Sequence, residues 1–327
     1  MKIGVFGAGA WGTALALAYC DDHDVTLWSW RDSEARELLT DGENRRYLPG
    51  VPLPASLRVT STFEEAAIGA DLHLIVTPLA GLRDAVRGLK QLAPGTPTLW
   101  ACKGFEAETA HLPHEIVREE LGDDAPCGAL TGPSFAAEVA RHMPTAITLA
   151  SSREGFAEHW IHELHRPTLR LYANSDVVGA EVGGAVKNVM AVAAGISDGM
   201  GFGLNARAAL ITRGLAEMSR LGVALGAQPE TFMGLAGMGD LILTCTGDLS
   251  RNRRVGLALA EGKSLEQILE DLGHVAEGVN TARVVGRLAA RHAIEMPICE
   301  AVHAILFEGL DARGAVSELL ARDPRSE

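Results

Sequence analysis

The residue whose type and setting most plainly suggest catalysis is Lys187. It is the single charged residue between Val182 and Ser197, it stands beside Asn188, and no acid occupies a position three or four residues away. A lone lysine on an apolar helix has two uses. It can lay its stem along the apolar face and reach water. It can also sit partly desolvated, where burial disfavours the charged form and makes the amine a usable proton donor and acceptor. A second constellation is Gly7-Ala8-Gly9-Ala10-Trp11-Gly12. This GxGxxG run follows an apolar strand-like segment and opens a helical one, the context in which such a run binds a dinucleotide. Its first glycine permits the tight turn, Gly9 lets a pyrophosphate approach the backbone, and Gly12 lets helix and strand pack closely. A third is Ser250-Arg251-Asn252-Arg253-Arg254, a dense basic cluster in an acidic chain. Guanidinium forks match phosphate oxygens bidentately, although the same cluster also reads as the solvated start of a helix. Asp240 ends the glycine-rich run Gly234–Gly239 in apolar surroundings. It suits either a helix cap or a carboxylate that orients a lysine or a substrate hydroxyl.

The elements that position these residues follow from hydrophobic period. In the first half, short β-rich runs alternate with helical segments: Ile3–Phe6, Val25–Trp30, Leu57–Thr60, Leu72–Val76, Thr98–Ala101, Gly128–Thr131, Ala146–Ala150 and Leu169–Tyr172. That alternation implies βαβ units and a mainly parallel sheet. In open sheets of this kind ligands gather outside the carboxyl ends of the strands. Lys103-Gly104 and Gly132-Pro133-Ser134 each follow a strand, so both can line one crevice; the plainer readings are a surface lysine and a serine N-cap. At the end of the second strand, Trp30-Arg31-Asp32 occupies the position that selects the cofactor. An acid there suits the ribose 2′-hydroxyl of NAD and an arginine the 2′-phosphate of NADP, so Arg31-Asp32 leaves both open, and Arg31 also reads as a solvated loop residue. Beyond about residue 175 the texture becomes all helical, over 176–197, 206–226, 255–261, 264–272, 278–293 and 298–308. The expected fold is therefore α/β plus all-α. Residues 1–175 form a Rossmann-type domain with a mainly parallel sheet, and residues 176–327 form a helical substrate and catalytic domain ending in a frayed tail, 323–327.

Composition removes several classes of function. The 327 residues are 47% hydrophobic and 22% charged, which supplies two cores and excludes a disordered chain. A net charge of −13 argues against nucleic acid and anionic membrane surfaces as partners, both of which call for a basic face. The five cysteines, Cys20, Cys102, Cys127, Cys245 and Cys299, are odd in number and lack CxxC spacing. They indicate a reducing compartment rather than a disulfide framework or a zinc knuckle. No apolar run without interruption reaches the length of a membrane span, and the first residues run into a strand rather than a signal peptide. The expected location is the cytoplasm. The eleven histidines show no metal-ligand spacing; His111 and His114 read as one face of a surface helix, and no metal is expected.

Taken in order along nearly the whole chain, these motifs resemble the bacterial NAD(P)-dependent sn-glycerol-3-phosphate dehydrogenase family. The matching stretches are GAGAWGTALA, CKGFEAET, TGPSFAAEV, GGAVKNVMAVAAGISDGMGFG, NARAALITRGLAEM, GLAGMGDLILTC, SRNRRVG and VAEGVNTA. The resemblance implies reversible hydride transfer between NADP or NAD and dihydroxyacetone phosphate, giving sn-glycerol 3-phosphate for phospholipid synthesis. It implies that Lys187 is the general acid/base, with Asp240 beside it as a catalytic group. It implies substrate contacts at Lys103, Gly132, Ser134, Lys187, Asp240, Ser250, Arg251 and Asn252. Cofactor contacts would fall at Ala10, Trp11, Arg31, Lys103, Ala136, Arg251, Val275 and Glu277, together with the glycines Gly7, Gly9 and Gly12. A homodimer is expected, since the apolar helical half offers surface for one. Two other readings compete: a two-domain NADP-dependent reductase of a 2-oxo acid, which would lack a reason for the arginine cluster, and a non-catalytic dinucleotide sensor, which would lack a reason for Lys187.

Overall fold

A computed structural model describes residues 1–272 and 276–315. Val275, expected to touch the cofactor, and the tail 323–327 lie outside the described residues. Eight strands form one sheet: β1 (Lys2–Phe6), β2 (Asp24–Trp28), β3 (Arg58–Thr60), β4 (Leu72–Ile75), β5 (Thr98–Trp100), β6 (Cys127–Thr131), β7 (Thr145–Ala150) and β8 (Leu169–Asn174), in the order β3-β2-β1-β4-β5-β6-β7-β8. The first six run parallel; β7 pairs antiparallel with β6, and β8 runs parallel to β7. The order reverses between β1 and β4, the switch point at which doubly wound sheets bind nucleotides. Strands β4 and β5 are buried throughout, as expected of parallel strands covered on both faces. The cover comes from α1 (Ala10–Tyr19), α2 (Asp32–Asp41), α3 (Phe63–Ala67), α4 (Leu82–Leu92), α5 (Pro113–Leu121), α6 (Ala136–Val139) and α7 (Phe156–Glu163). Ile3, Val5, Leu15, Leu27, Leu74, Leu99 and Leu149 lie at the centre of this core.

The chain divides into two compact units. The first holds Met1–Lys103 and His111–Ala180; the second holds Gly104–Ala110 and the chain from Glu181 onward. The division differs from a cut at residue 175 in two respects. It falls inside a continuous helix, α8 (Val177–Gly199), and it gives a seven-residue strap from the first half to the helical unit. A guanidinium N–H of Arg287 donates to the Ala107 carbonyl within that unit. A local hydrophobic period carries no information about such a long-range attachment.

The second unit contains the rest of α8 with α9 (Gly203–Ala224), α10 (Asp240–Thr246), α11 (Arg251–Ala260), α12 (Leu265–Leu272), α13 (Glu277–His292) and α14 (Pro297–Phe307). By length and composition α8 is apolar enough to cross a membrane, yet 89% of its apolar window is buried inside the protein; it is the central core helix of this unit. Close packing of α8 on α11 depends on two glycines. A Cβ on Gly195 would lie 2.0 Å from the Arg253 carbonyl oxygen, and one on Gly256 would lie 2.1 Å from that of Val192. Backbone therefore meets backbone at this crossing, and the start of α11 is drawn in toward the helix that carries Lys187.

Candidate functional site

In the first unit the glycine loop leaves β1 at the switch point. Gly7 has φ +119° and donates its N–H to the Trp28 carbonyl at 3.0 Å. A Cβ at Gly7 would lie 2.8 Å from the Val76 carbonyl oxygen, and one at Gly12 would lie 1.8 Å from that of Gly7. Both glycines are thus required by the protein's own packing. Gly9 differs: nothing lies within 4 Å of a Cβ built there. It is also the N-cap of α1 and makes no side-chain capping bond. Open space over uncapped N–H groups at a helix start is what a pyrophosphate needs, so the loop fits a dinucleotide. Ala10 and Trp11 form the first turn of α1, both half-buried.

The remaining first-unit candidates collect at the same carboxyl edge of the sheet. Lys103 lies three residues past β5 and Gly132 one residue past β6, and these are adjacent parallel strands. Gly132 has φ +127°, and the Ser134 hydroxyl donates to its carbonyl at 3.1 Å. Ala136 starts the short helix α6. Where β4 and β5 end, the Cys102 thiol donates to the Thr77 carbonyl at 3.1 Å and ties the two ends together.

At the end of β2, Asp32 is already engaged. It pairs with Arg36 one turn on and accepts the Ser61 hydroxyl at 3.0 Å. Arg31 lies over the Trp30 ring at 4.5 Å and reaches Glu34 Oε1 at 3.4 Å. The acid that meets Arg31 is therefore Glu34, which the sequence reading passed over because it looked for an acid at the end of the strand rather than in the first turn of α2.

In the second unit Lys187 has a partner. Its ammonium pairs with Asp240 Oδ1, and the two side chains are 8% and 1% exposed. Reaching water along the helix face is thus excluded: the amine stays inside and meets its counter-charge there. The acid comes from a segment 53 residues away in sequence, so no search at helical spacing finds it. Asp240 enters from a single π-helical turn, Leu235–Gly239, closed by the Gly239 N–H on the Gly234 carbonyl at 3.1 Å. The turn runs straight into α10, whose first residue is Asp240. The Thr244 hydroxyl donates to the Asp240 carbonyl at 2.6 Å. Cys245 lies alongside; burial pushes its thiol up to about 12, so it stays a neutral wall and no nucleophile.

The SRNRR cluster is divided by the fold. Ser250 caps α11, accepting the Arg253 N–H at 3.2 Å. Arg253 is committed to acids: its Nε and Nη2 reach Asp198 Oδ2 at 2.9 and 2.8 Å, and its Nη1 reaches Asp248 at 3.0 Å. Asp198 also takes Arg207 at 3.0 Å. Arg251 stands exposed in the first turn of α11. Asn252 is buried; its Nδ2 donates to Asn188 Oδ1 at 2.9 Å and its Oδ1 accepts the Gly278 N–H at 3.0 Å. This couples three segments: the helix carrying Lys187, the start of α11, and the start of α13, where Glu277 is the first residue. Asn188 and Asp198 are the residues that the sequence reading left without a role.

Comparison with known proteins adds an independent line. Residues 2–157 match the family described as NAD-dependent glycerol-3-phosphate dehydrogenase N-terminus, and residues 176–317 match its C-terminus. A curated relative from Aromatoleum aromaticum, named glycerol-3-phosphate dehydrogenase (NAD(P)+), is 67% identical over 328 residues and covers 100% of both chains. One of the same name from Dechloromonas aromatica is 61% identical, covering 100% of this chain and 99% of the relative. A crystal structure of glycerol-3-phosphate dehydrogenase from Coxiella burnetii superposes with a TM-score of 0.94 at 44% identity, covering 98% of this chain and 99% of that one.

Proposed function

The chain belongs to the NAD-dependent glycerol-3-phosphate dehydrogenase family, and from that premise we propose that it interconverts dihydroxyacetone phosphate and sn-glycerol 3-phosphate with NADP or NAD. The observation that carries the chemistry is the buried Lys187–Asp240 pair. When bound, the nicotinamide supplies or accepts a hydride at C2 of the triose. Lys187, as an ammonium, stabilises the negative charge that develops on the carbonyl oxygen and gives it a proton; in the reverse direction its neutral amine takes the proton of the C2 hydroxyl. Asp240 holds the amine in place and supplies its counter-charge. Arg251 and Asn252, with the capped helix start at Ser250, hold the substrate phosphate; Lys103, Gly132 and Ser134 complete the substrate's surroundings. Gly9 lets the pyrophosphate approach on a turn that Gly7 and Gly12 make possible, and Ala10, Trp11, Arg31, Lys103, Ala136, Arg251, Val275 and Glu277 make the remaining cofactor contacts. Phosphate binding away from the reacting carbon is used to orient it, so a substrate without phosphate loses kcat as well as affinity.

The reduced compound feeds phospholipid synthesis in this reading, and the protein works in the cytoplasm as a homodimer. Reduced-cofactor consumption with a substrate panel tests the assignment. Dihydroxyacetone phosphate should be turned over with a kcat/KM at least ~10²-fold above ketopantoate and other 2-oxo acids, because the site's phosphate donors are left unpaired by a carboxylate. Preference for a 2-oxo acid, or no turnover with any ketone, would overturn it. Light scattering on a sizing column reads the dimer.

A further inference from the structure

The end of β2 holds a second arginine that neither the motif nor the resemblance assigns. We propose that Arg46 and Arg31 form a two-guanidinium clamp for the 2′-phosphate of NADP, with Glu34 as the internal acid that holds the clamp ready and serves the 2′-hydroxyl of NAD. The proposal rests on the dinucleotide reading of the first unit and deepens it, since it names what selects between the two cofactors.

Arg31 and Arg46 each direct Nη1 at the same atom, Glu34 Oε1, at 3.4 and 3.5 Å. The other oxygen of Glu34 accepts the Ser29 hydroxyl at 3.1 Å. The acid is mostly covered, 13% exposed, whereas the two guanidinium-bearing side chains are 47% and 51% exposed. The acid therefore forms the floor and the cations face outward. Each cation also rests on an aromatic face, Arg31 over Trp30 at 4.5 Å and Arg46 over Tyr47 at 5.2 Å. Stacking of this kind holds the guanidinium plane before any ligand arrives. The loop bearing Arg46 is fixed to the dinucleotide loop itself: the buried Asn44 donates to the Ala8 carbonyl at 3.0 Å and to the Thr13 hydroxyl at 2.7 Å, and it accepts the Tyr47 N–H at 3.1 Å. Arg46 is thus registered against the glycine turn although 34 residues separate it from Gly12.

The charge balance supports one site with two modes. The two guanidiniums carry two positive charges, which match a phosphate monoester of about −1.5 to −2 near neutral pH, and Glu34 offsets one of them when no phosphate is bound. Asp32, the residue at the customary place for the 2′-hydroxyl of NAD, is occupied by Arg36 and Ser61. Glu34, although held by Arg31, Arg46 and Ser29, is the acid that lies between the two guanidiniums; the 2′-hydroxyl of NAD joins that set, and the phosphate of NADP instead takes the guanidiniums from it.

Direct binding of NADPH and NADH, read by cofactor fluorescence without triose, tests this separately from turnover. Charge-assisted hydrogen bonds contribute about 1.5–3 kcal/mol each, so Arg46→Ala should weaken NADPH by ~10–100-fold and NADH by less than about 3-fold. Arg46→Lys, which keeps the charge but not the fork, should recover part of the loss. Glu34→Gln should move the preference the other way, weakening NADH relative to NADPH. Adenosine 2′,5′-bisphosphate should displace NADPH from the wild type and lose potency on Arg46→Ala. Equal weakening of both cofactors, or no change in their ratio, would overturn the clamp and leave the dinucleotide reading standing. A wild type that binds neither nucleotide would overturn both.

Discussion

At the scale of single residues the second unit is organised around one amine. A lysine on an apolar helix that is 8% exposed must have a counter-charge or lose its proton, and Asp240, itself 1% exposed, provides it. The pair is a proton device only if substrate displaces water around it, so its function shows in rate rather than in binding of cofactor. Lys187→Ala should lower kcat by ~10²–10⁴-fold, the range of a lost general acid, with NADPH affinity shifted by less than about 2-fold. Asp240→Asn should be milder and should move the pH profile of kcat/KM, because it leaves the amine in place without its counter-charge. Turnover retained in Lys187→Ala would remove the amine from the chemistry. Lys187 could be found in the sequence because its isolation is a local property. Asp240 could be offered as its partner from the glycine-rich run before it and from the family resemblance, with a helix cap as the other reading, whereas Glu34, Arg46, Asn188 and Asp198 could not be given roles. Each gains its role from a contact between segments distant in sequence: Arg46 with Glu34 in one cluster, Asn252 with Asn188 and Arg253 with Asp198 in the other.

At the scale of elements, all eight strands were legible to within a few residues: central parallel strands such as β1 and β4 are near-continuous apolar runs, whereas β8 shows the alternation of a strand with one exposed face. Their order, and the reversal at β7, were not, since pairing is a non-local property. The helical half was legible in kind but not in its joints. The π turn before Asp240 reads in sequence as a glycine-rich turn, and α11 begins at Arg251 rather than 255 because Ser250 caps it with a charged first turn. One joint carries a titratable group. Glu217 on α9 is buried and accepts the N–H groups of Ile298 and Cys299, at 2.7 and 3.2 Å, where α14 begins. Burial pushes its carboxyl up from 4.5 to about 7. The folded state therefore holds this proton more tightly than the unfolded chain does. The stabilisation is complete below about pH 4.5 and is lost as pH rises through about 7. Stability of the wild type should fall over that window by an amount of order 3 kcal/mol from this group alone. Glu217→Gln, which keeps the shape and stays neutral, should flatten that part of the profile. Chemical denaturation at pH 5, 6, 7 and 8 checks it; equal slopes in wild type and variant would show that Glu217 does not titrate there.

At the scale of the whole molecule, a chain of net charge −13 has to take up two anions, a sugar phosphate and a dinucleotide. The long-range field repels both, and the local guanidiniums at Arg31, Arg46 and Arg251 attract them. The two effects act over different distances, so salt separates them. Screening lengths are ~30 Å at 0.01 M, ~10 Å at 0.1 M and ~3 Å at 1 M ionic strength. The first tenfold rise in salt therefore removes repulsion from charges spread over the surface while leaving contacts at hydrogen-bond distance nearly intact. The next tenfold rise reaches those contacts too. With potassium chloride, which offers no competing phosphate or sulfate, kcat/KM for dihydroxyacetone phosphate and for NADPH should pass through a maximum near ~0.1 M rather than fall from the lowest salt onward. NADPH carries more charge than NADH, so its maximum should be the sharper of the two. On Arg46→Ala the high-salt decline for NADPH should become shallower and approach that for NADH, because the contact being screened is gone, while the low-salt rise persists as a property of the overall charge. A steady decline from 0.01 M upward for both ligands would mean that the basic clusters outweigh the acidic surface at every distance, and the overall charge would then have no part in how this protein meets its substrates.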